Sequence, residues 1–184
     1  MSEKKRAVVL VADGSEEVEA ITPIDFLRRA GIEVVVAGVT ARDVVGGHDI
    51  RINTDITADG VVGEFDAVVV PGGDAGAHKI ADSAIAMGII KKMHADGKLV
   101  AALCASPGVV LGSTDILKGR RFTCYPGYQD RVSDATFSED RVVVDGHVIT
   151  SRGPGTAAEF SIAVVEYLVG KEAADALHKK TLQK

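Results

Sequence analysis

At 184 residues, with 46% hydrophobic and 26% charged side chains, the chain can bury one substantial core and is too apolar to be disordered. A net charge of −5 without a basic cluster argues against a specific nucleic-acid partner. No apolar run reaches bilayer-spanning length, and Met1–Arg6 carries charge where an export signal needs an apolar stretch, so a cytoplasmic protein with no membrane partner is expected.

Strand and helix patterns then alternate along what reads as one domain over 1–184. Arg6–Ala12 is a continuous apolar strand that leads into Asp13-Gly14-Ser15. Ser15 is placed to cap a helix whose first turn holds Glu16, Glu17 and Glu19, and Gly31 stops that helix. Pro23 predicts a kink or break near Ile21-Thr22. Glu33–Val39 is a second strand, and Gly46-Gly47 between β-type runs predicts a hairpin excursion over 42–56. Ala67–Val70 is a buried strand ending in Pro71-Gly72-Gly73, with helices following over roughly 75–95.

Lys98–Leu103 is the next apolar strand, and Cys104 closes it. Further strands are expected at Arg121–Cys124 and Arg141–Val144, the latter turning at Asp145-Gly146 into His147–Thr150. Gly153–Thr156 caps a long apolar helix over 157–169, and Glu172–Leu182 is a final amphipathic one. Strands that read as unbroken apolar runs are covered on both faces, which predicts an α/β fold with a mostly parallel sheet between helices. Ligands of such sheets bind beyond the carboxyl ends of the strands. The ends at Asp13–Ser15, Pro71–Gly73 and Cys104-Ala105 should therefore meet in one crevice.

Cys104 is the centre of that crevice. It stands where strand becomes helix, with Ser106 able to cap and Pro107 suited to the first helical position. A thiol there is expected to be exposed and acidified by the helix dipole, as a nucleophile needs. Among the first-turn acids, Glu16 and Glu17 read as surface complements of the dipole, while Glu19, between Val18 and Ala20-Ile21, can turn inward. A protonated Glu19 beside a Cys104 thiolate would hold the sulfur without a second negative charge. Gly72 and Gly73 let backbone approach a ligand, and the amides of Gly73 and Ala105 can form an oxyanion hole. Tyr125 can bring a phenol to the pocket. Of the five histidines, His94, His147 and His178 read as solvated or surface groups and His78 as part of a helix's early turns; His48 is the one to watch. No Cys-His-acid triad is evident, which argues against ordinary peptide hydrolysis. Cys104 and Cys124 are too few for a disulfide framework and lack metal-type spacing, so no metal or other cofactor is expected.

Four ordered stretches, Ala12–Glu19, Val70–Ala77, Ala102–Ala105 and Thr150–Thr156, together resemble the ThiJ/PfpI superfamily, and within it the DJ-1 branch of a Parkinsonism-associated protein and its microbial and plant homologues. The similarity runs in register over nearly the whole chain. It implies a flavodoxin-like three-layer sandwich and a homodimer, with the reactive cysteine at Cys104, the buried protonated glutamate at Glu19 and the oxyanion donors at Gly73 and Ala105. Where several relatives carry a histidine before the pocket proline, this chain has Tyr125-Pro126, as plant-type glyoxalase members do. Where the animal protein places an arginine across its dimer, this chain has His48.

The resemblance implies a glutathione-independent glyoxalase or deglycase acting on small 2-oxoaldehydes such as methylglyoxal. The alternative is an oxidative-stress sensor or redox-regulated chaperone in which Cys104 becomes a sulfinate. An amidotransferase or protease, lacking the matching histidine, ranks last.

Overall fold

The computed structural model describes residues 4–183. The first apolar run forms β1 (Arg6–Val11), flanked in parallel by β2 (Glu33–Gly38) and β6 (Ala67–Val70). Beyond β6 lie β7 (Leu99–Leu103) and then β11 (Val148–Ser151), again parallel. The edges are β5 (Ile56–Thr57), parallel to β2, and β10 (Val142–Asp145), antiparallel to β11. The spatial order is β10-β11-β7-β6-β1-β2-β5. Its parallel core has the flavodoxin order, which reverses direction between β1 and β6 and so opens a crevice at their carboxyl ends.

Alternate residues of each strand feed two cores. Val8, Leu10, Val68, Val70, Val100 and Ala102 pack under α2 (Asp74–Asp82), α3 (Ala84–Ala95) and the turn Pro107–Leu111. Ala7, Val9, Val11, Val69 and Leu103 pack under α1 (Glu17–Arg29), α4 (Ala157–Val169) and α5 (Lys171–Lys180). Strands buried on both faces explain why they read as unbroken apolar runs. The result is the three-layer sandwich expected from the sequence.

The excursion over 42–56 is a hairpin of β3 (Asp43–Val45) and β4 (Arg51–Asn53), off the main sheet. Pro23 does not break α1, which runs unbroken from Glu17 to Arg29. Proline leaves the Glu19 carbonyl without its helical donor. Burial of Ala20, Pro23, Ile24 and Leu27 along one face holds the helix together regardless. The strand expected at Arg121–Cys124 is shorter, Arg121–Phe122 (β8), and it pairs with Thr136–Phe137 (β9) in a separate sheet.

Helix α1 carries the acids of the crevice, and α4 packs beside it. Phe160 of α4 is fully buried in the same core as Ile24 and Leu27. Phe160→Ala should cost about 3–5 kcal/mol of stability, read by urea unfolding. A loss below about 1 kcal/mol would mean that this core does not hold α1 in place.

Candidate active site

Cys104 sits at φ +62°, in the left-handed region that non-glycine residues avoid. Such a residue costs on the order of 1–3 kcal/mol and persists only where its surroundings enforce it. Here its N–H donates to the Ser151 carbonyl at 3.0 Å, and its own carbonyl accepts from Tyr125 N–H at 2.8 Å. The sharp turn expected at this position is therefore present. Its details differ from the sequence reading. Ser106 makes no cap; its hydroxyl donates to the Pro71 carbonyl at 2.6 Å and ties the β7 turn to the β6 turn. The helix that follows is a single π-helical turn, Pro107–Leu111.

Glu19 is fully buried beside this elbow. Its Oε2 accepts the Gly72 N–H at 2.8 Å, while Oε1 has no hydrogen-bond partner among the described residues. Glu16, not Ser15, caps α1: the Glu16 carboxylate accepts the Glu19 N–H at 2.7 Å. The Ser15 hydroxyl instead accepts from Ala12 N–H at 3.1 Å, within the turn. A capping carboxylate one turn below Glu19 fixes where that side chain enters the crevice.

The thiol is neither exposed nor acidified, contrary to the sequence expectation. Cys104 is only 9% exposed, and burial first, then the charge of Glu19, pushes its pKa up to about 12. The N–H groups of Gly73 and Ala105 face the sulfur and pull the other way. Burial likewise raises the Glu19 carboxyl to about 7, against hydrogen bonds from Cys104 and Gly72. The two groups therefore titrate as a pair. A proton kept on Glu19 removes the repulsion and leaves two amides to hold a sulfur anion.

Gly72 and Gly73 make the close approach possible. A Cβ on Gly72 would stand 2.4 Å from the Cys104 Cβ and 2.6 Å from Glu19 Oε2. Gly73 has φ +83°, and its Cβ would stand 2.3 Å from the Gly14 carbonyl. The three strand ends thus meet at one crevice.

Tyr125 forms its wall, half exposed, with its ring 3.4 Å from where a Cβ on Gly153 would lie. The same position on Gly153 is 3.8 Å from the unpartnered Glu19 Oε1. His48 does not reach the sulfur in this arrangement. Its N–H and Nδ1 lie 2.6 and 2.8 Å from the two oxygens of Glu17. Glu17 is buried, not the surface acid expected. Hydrogen bonding to Glu17 raises the His48 pKa, and His48 in turn lowers that of Glu17 against the effect of burial, as an ion pair does.

Glu16, Glu17 and His48 each offer a ligand atom within 4.8 Å of the others. Both Glu17 oxygens are already engaged by His48, so the group is accounted for by that ion pair. His94 and His147 are not isolated surface groups either: His147 Nε2 lies 2.9 Å from His94 Nδ1. They precede β11 and β7, at the end of the sheet away from Cys104.

One pair escaped the sequence reading altogether. The Tyr128 hydroxyl donates to Asp74 Oδ1 at 2.5 Å, joining the loop after Tyr125 to the residue after Gly73. The available signal was an aromatic pair three residues apart, and Tyr125 and Tyr128 do pack edge to face at 6.3 Å.

A sequence model of the DJ-1/PfpI family matches residues 5–167. Protein DJ-1 homolog A of Arabidopsis thaliana is 42% identical over 177 residues, covering 95% of this chain and 45% of that protein. This chain thus spans less than half the length of that relative. Protein dj-1beta of Drosophila melanogaster is 40% identical, covering 91% of each chain. The glutathione-independent glyoxalase DJR-1.2 of Caenorhabditis elegans is 33% identical, covering 97% of this chain and 96% of that one. Among solved structures, that of Drosophila melanogaster DJ-1beta superposes with a TM-score of 0.94 at 38% identity over 98% of both chains. Oxidized Toxoplasma gondii DJ-1 does so with a TM-score of 0.94 at 38% identity over 97% and 98%.

Two outcomes follow from the site's geometry. Between pH 4.5 and about 7 the folded protein holds a proton on Glu19 that the unfolded chain has released. Stability should therefore fall as pH rises through that window, and Glu19→Gln should remove up to about 3 kcal/mol of the fall in urea unfolding. Equal slopes in parent and variant would place the Glu19 pKa in the ordinary range. Gly72→Ala should slow Cys104 alkylation at least about tenfold by displacing the sulfur and Glu19 together. Gly88→Ala, where a Cβ meets nothing within 4 Å, should leave it unchanged. Parent-like alkylation of Gly72→Ala would mean that the close approach is not needed.

Proposed function

The chain belongs to the DJ-1/PfpI family, and from that premise we propose that it is a cofactor-independent, cysteine-dependent glyoxalase and deglycase for small 2-oxoaldehydes such as methylglyoxal. The observation that carries the reading is the buried carboxyl of Glu19 against Cys104, with one oxygen held by Gly72 N–H and Oε1 left without a partner among the described residues. The C. elegans relative named a glutathione-independent glyoxalase supports it further.

In this mechanism the Cys104 thiolate adds to the aldehyde carbon, and Glu19 gives its proton to the resulting oxyanion. Gly73 and Ala105 N–H groups stabilise the charge while it lasts. Glu19, now ionised, takes the hydrogen from that same carbon, forming an enediolate with the neighbouring carbonyl, and returns it to the second carbon while the hydroxyl proton of the first passes to the second oxygen. A thioester on Cys104 remains, and water hydrolyses it to the 2-hydroxy acid and the thiol, whose proton passes to Glu19 to restore the starting pair. One water is consumed overall and no external oxidant or reductant is needed. Tyr125 lines the wall as a hydrogen-bond donor, since a phenol is a poor base at neutral pH.

The working form is proposed to be a cytoplasmic homodimer. Ile24 and Leu27 of α1 are buried within the protomer, while Val18 and Ile21, both about half exposed, and Ile50 on the hairpin leave apolar surface for a partner. In this arrangement His48 acts by holding Glu17 and the hairpin against α1.

Redox sensing through Cys104 is the second reading. What favours it is that a relative of 38% identity, the Toxoplasma gondii protein, has been solved in an oxidized form.

Lactate formation from methylglyoxal without glutathione tests the first reading. Cys104→Ala should abolish it and Cys124→Ala should retain most of it. Glu19→Gln should lower turnover by about 100-fold or more, since the amide holds the sulfur but carries no proton. Tyr125→Phe should be milder than either. Parent-rate turnover by Glu19→Gln, or equal loss in the two cysteine variants, would overturn the mechanism.

A further inference from the structure

The loop that follows Cys124 is tied to the Cys104 elbow at its base and by a side-chain bond at its tip. At the base, Tyr125 N–H donates to the Cys104 carbonyl at 2.8 Å. The Tyr128 backbone packs on Gly108 so closely that a Cβ there would stand 2.5 Å from the Tyr128 carbonyl. At the tip, the Tyr128 hydroxyl reaches across to Asp74, the first residue of α2. Asp74 directly follows Gly73, whose N–H faces the Cys104 sulfur. Tyr128 therefore joins the two sides of the crevice: the loop that follows Cys124, and the glycine turn that holds the thiol.

The pair is built to stay closed and not to exchange protons. Hydrogen bonding to Asp74, then burial, holds the Tyr128 phenol at about 12, so it remains a donor at any physiological pH. The Arg131 guanidinium lies over the Tyr128 ring at 5.6 Å and Tyr125 packs against its edge. His78 Nε2 stands 3.6 Å from the same Asp74 oxygen, on the side of α2. Cys104 is near enough for its charge to act on the phenol, yet the bond itself is exposed to solvent.

We propose that Tyr128, held by Asp74, is the specificity-determining residue of the crevice: it sets the width of the mouth and restricts Cys104 to carbonyl compounds with small substituents. The proposal rests on the reading of the crevice as a carbonyl site and deepens it by naming the substrate class. A two- or three-carbon oxoaldehyde passes beside the closed strap, and an aryl-substituted one requires the Tyr128–Asp74 bond to open. Because the base contacts are separate from the tip bond, loss of the bond widens the mouth without unfolding the loop.

Tyr128→Phe and Asp74→Ala each remove the bond from one side. The test compares alkylation of Cys104 by iodoacetamide and by a bulky N-aryl maleimide, in a Cys124→Ala background, alongside turnover of methylglyoxal and phenylglyoxal. Loss of one exposed hydrogen bond should raise the bulky-to-small alkylation ratio by about fivefold in either variant. The double variant should add nothing further, because both changes break the same bond. The ratio of phenylglyoxal to methylglyoxal kcat/KM should rise in parallel. Unchanged alkylation ratios in both single variants, or additive effects in the double variant, would overturn the proposal. An absence of turnover in the parent protein would instead overturn the glyoxalase reading, and the alkylation ratios would still decide the role of Tyr128.

Discussion

A carboxyl group buried against a thiol is the constraint on which the rest of this structure depends. Neither Glu19 nor Cys104 can be ionised cheaply in that position, and both together least of all. The fold answers with fixed backbone dipoles: Gly72 N–H on Glu19, and Gly73 and Ala105 N–H on the sulfur. All three amides come from turns at the carboxyl ends of adjacent strands, where a parallel sheet brings such turns side by side. The left-handed backbone of Cys104 and the two glycines that admit no Cβ are the local cost of that arrangement.

Stability and chemistry are therefore coupled through α1. The helix presents Glu19 inward, is capped by Glu16, and is pinned to the hairpin by the Glu17–His48 ion pair. Its apolar face is held by the core that α4 completes. A proton shared between acid and sulfur is useful to a reaction that moves one between oxygen and carbon. The same buried pair would also stabilise an oxidised sulfur, which is why one site supports two readings.

The fold was legible because parallel strands covered on both faces leave unbroken apolar runs, as at Arg6–Val11 and Leu99–Leu103. The meeting of three strand ends followed from that topology. Capping was misread at Ser15 and Ser106, because a serine hydroxyl can bond back into its own turn or to a neighbouring strand as readily as to a helix N–H. Glu17 looked like a surface acid because its partner, His48, lies 31 residues away. The environment of Cys104 was misjudged for a related reason. A helix dipole can be read from adjacent residues, whereas burial against Gly72 and Glu19 comes from distant segments. Asp74 and Tyr128, 54 residues apart, carry no local pattern that announces a bond.

Glu19 keeps its proton well above the ordinary carboxyl range because it is buried against Cys104. An NMR titration of the glutamate side-chain carboxyl carbons, with Glu19 assigned by its loss in Glu19→Gln, reads this directly. The Glu19 resonance should titrate near pH 7. A Glu19 carboxyl that titrates near the ordinary value of 4.5 would contradict its retention of the proton.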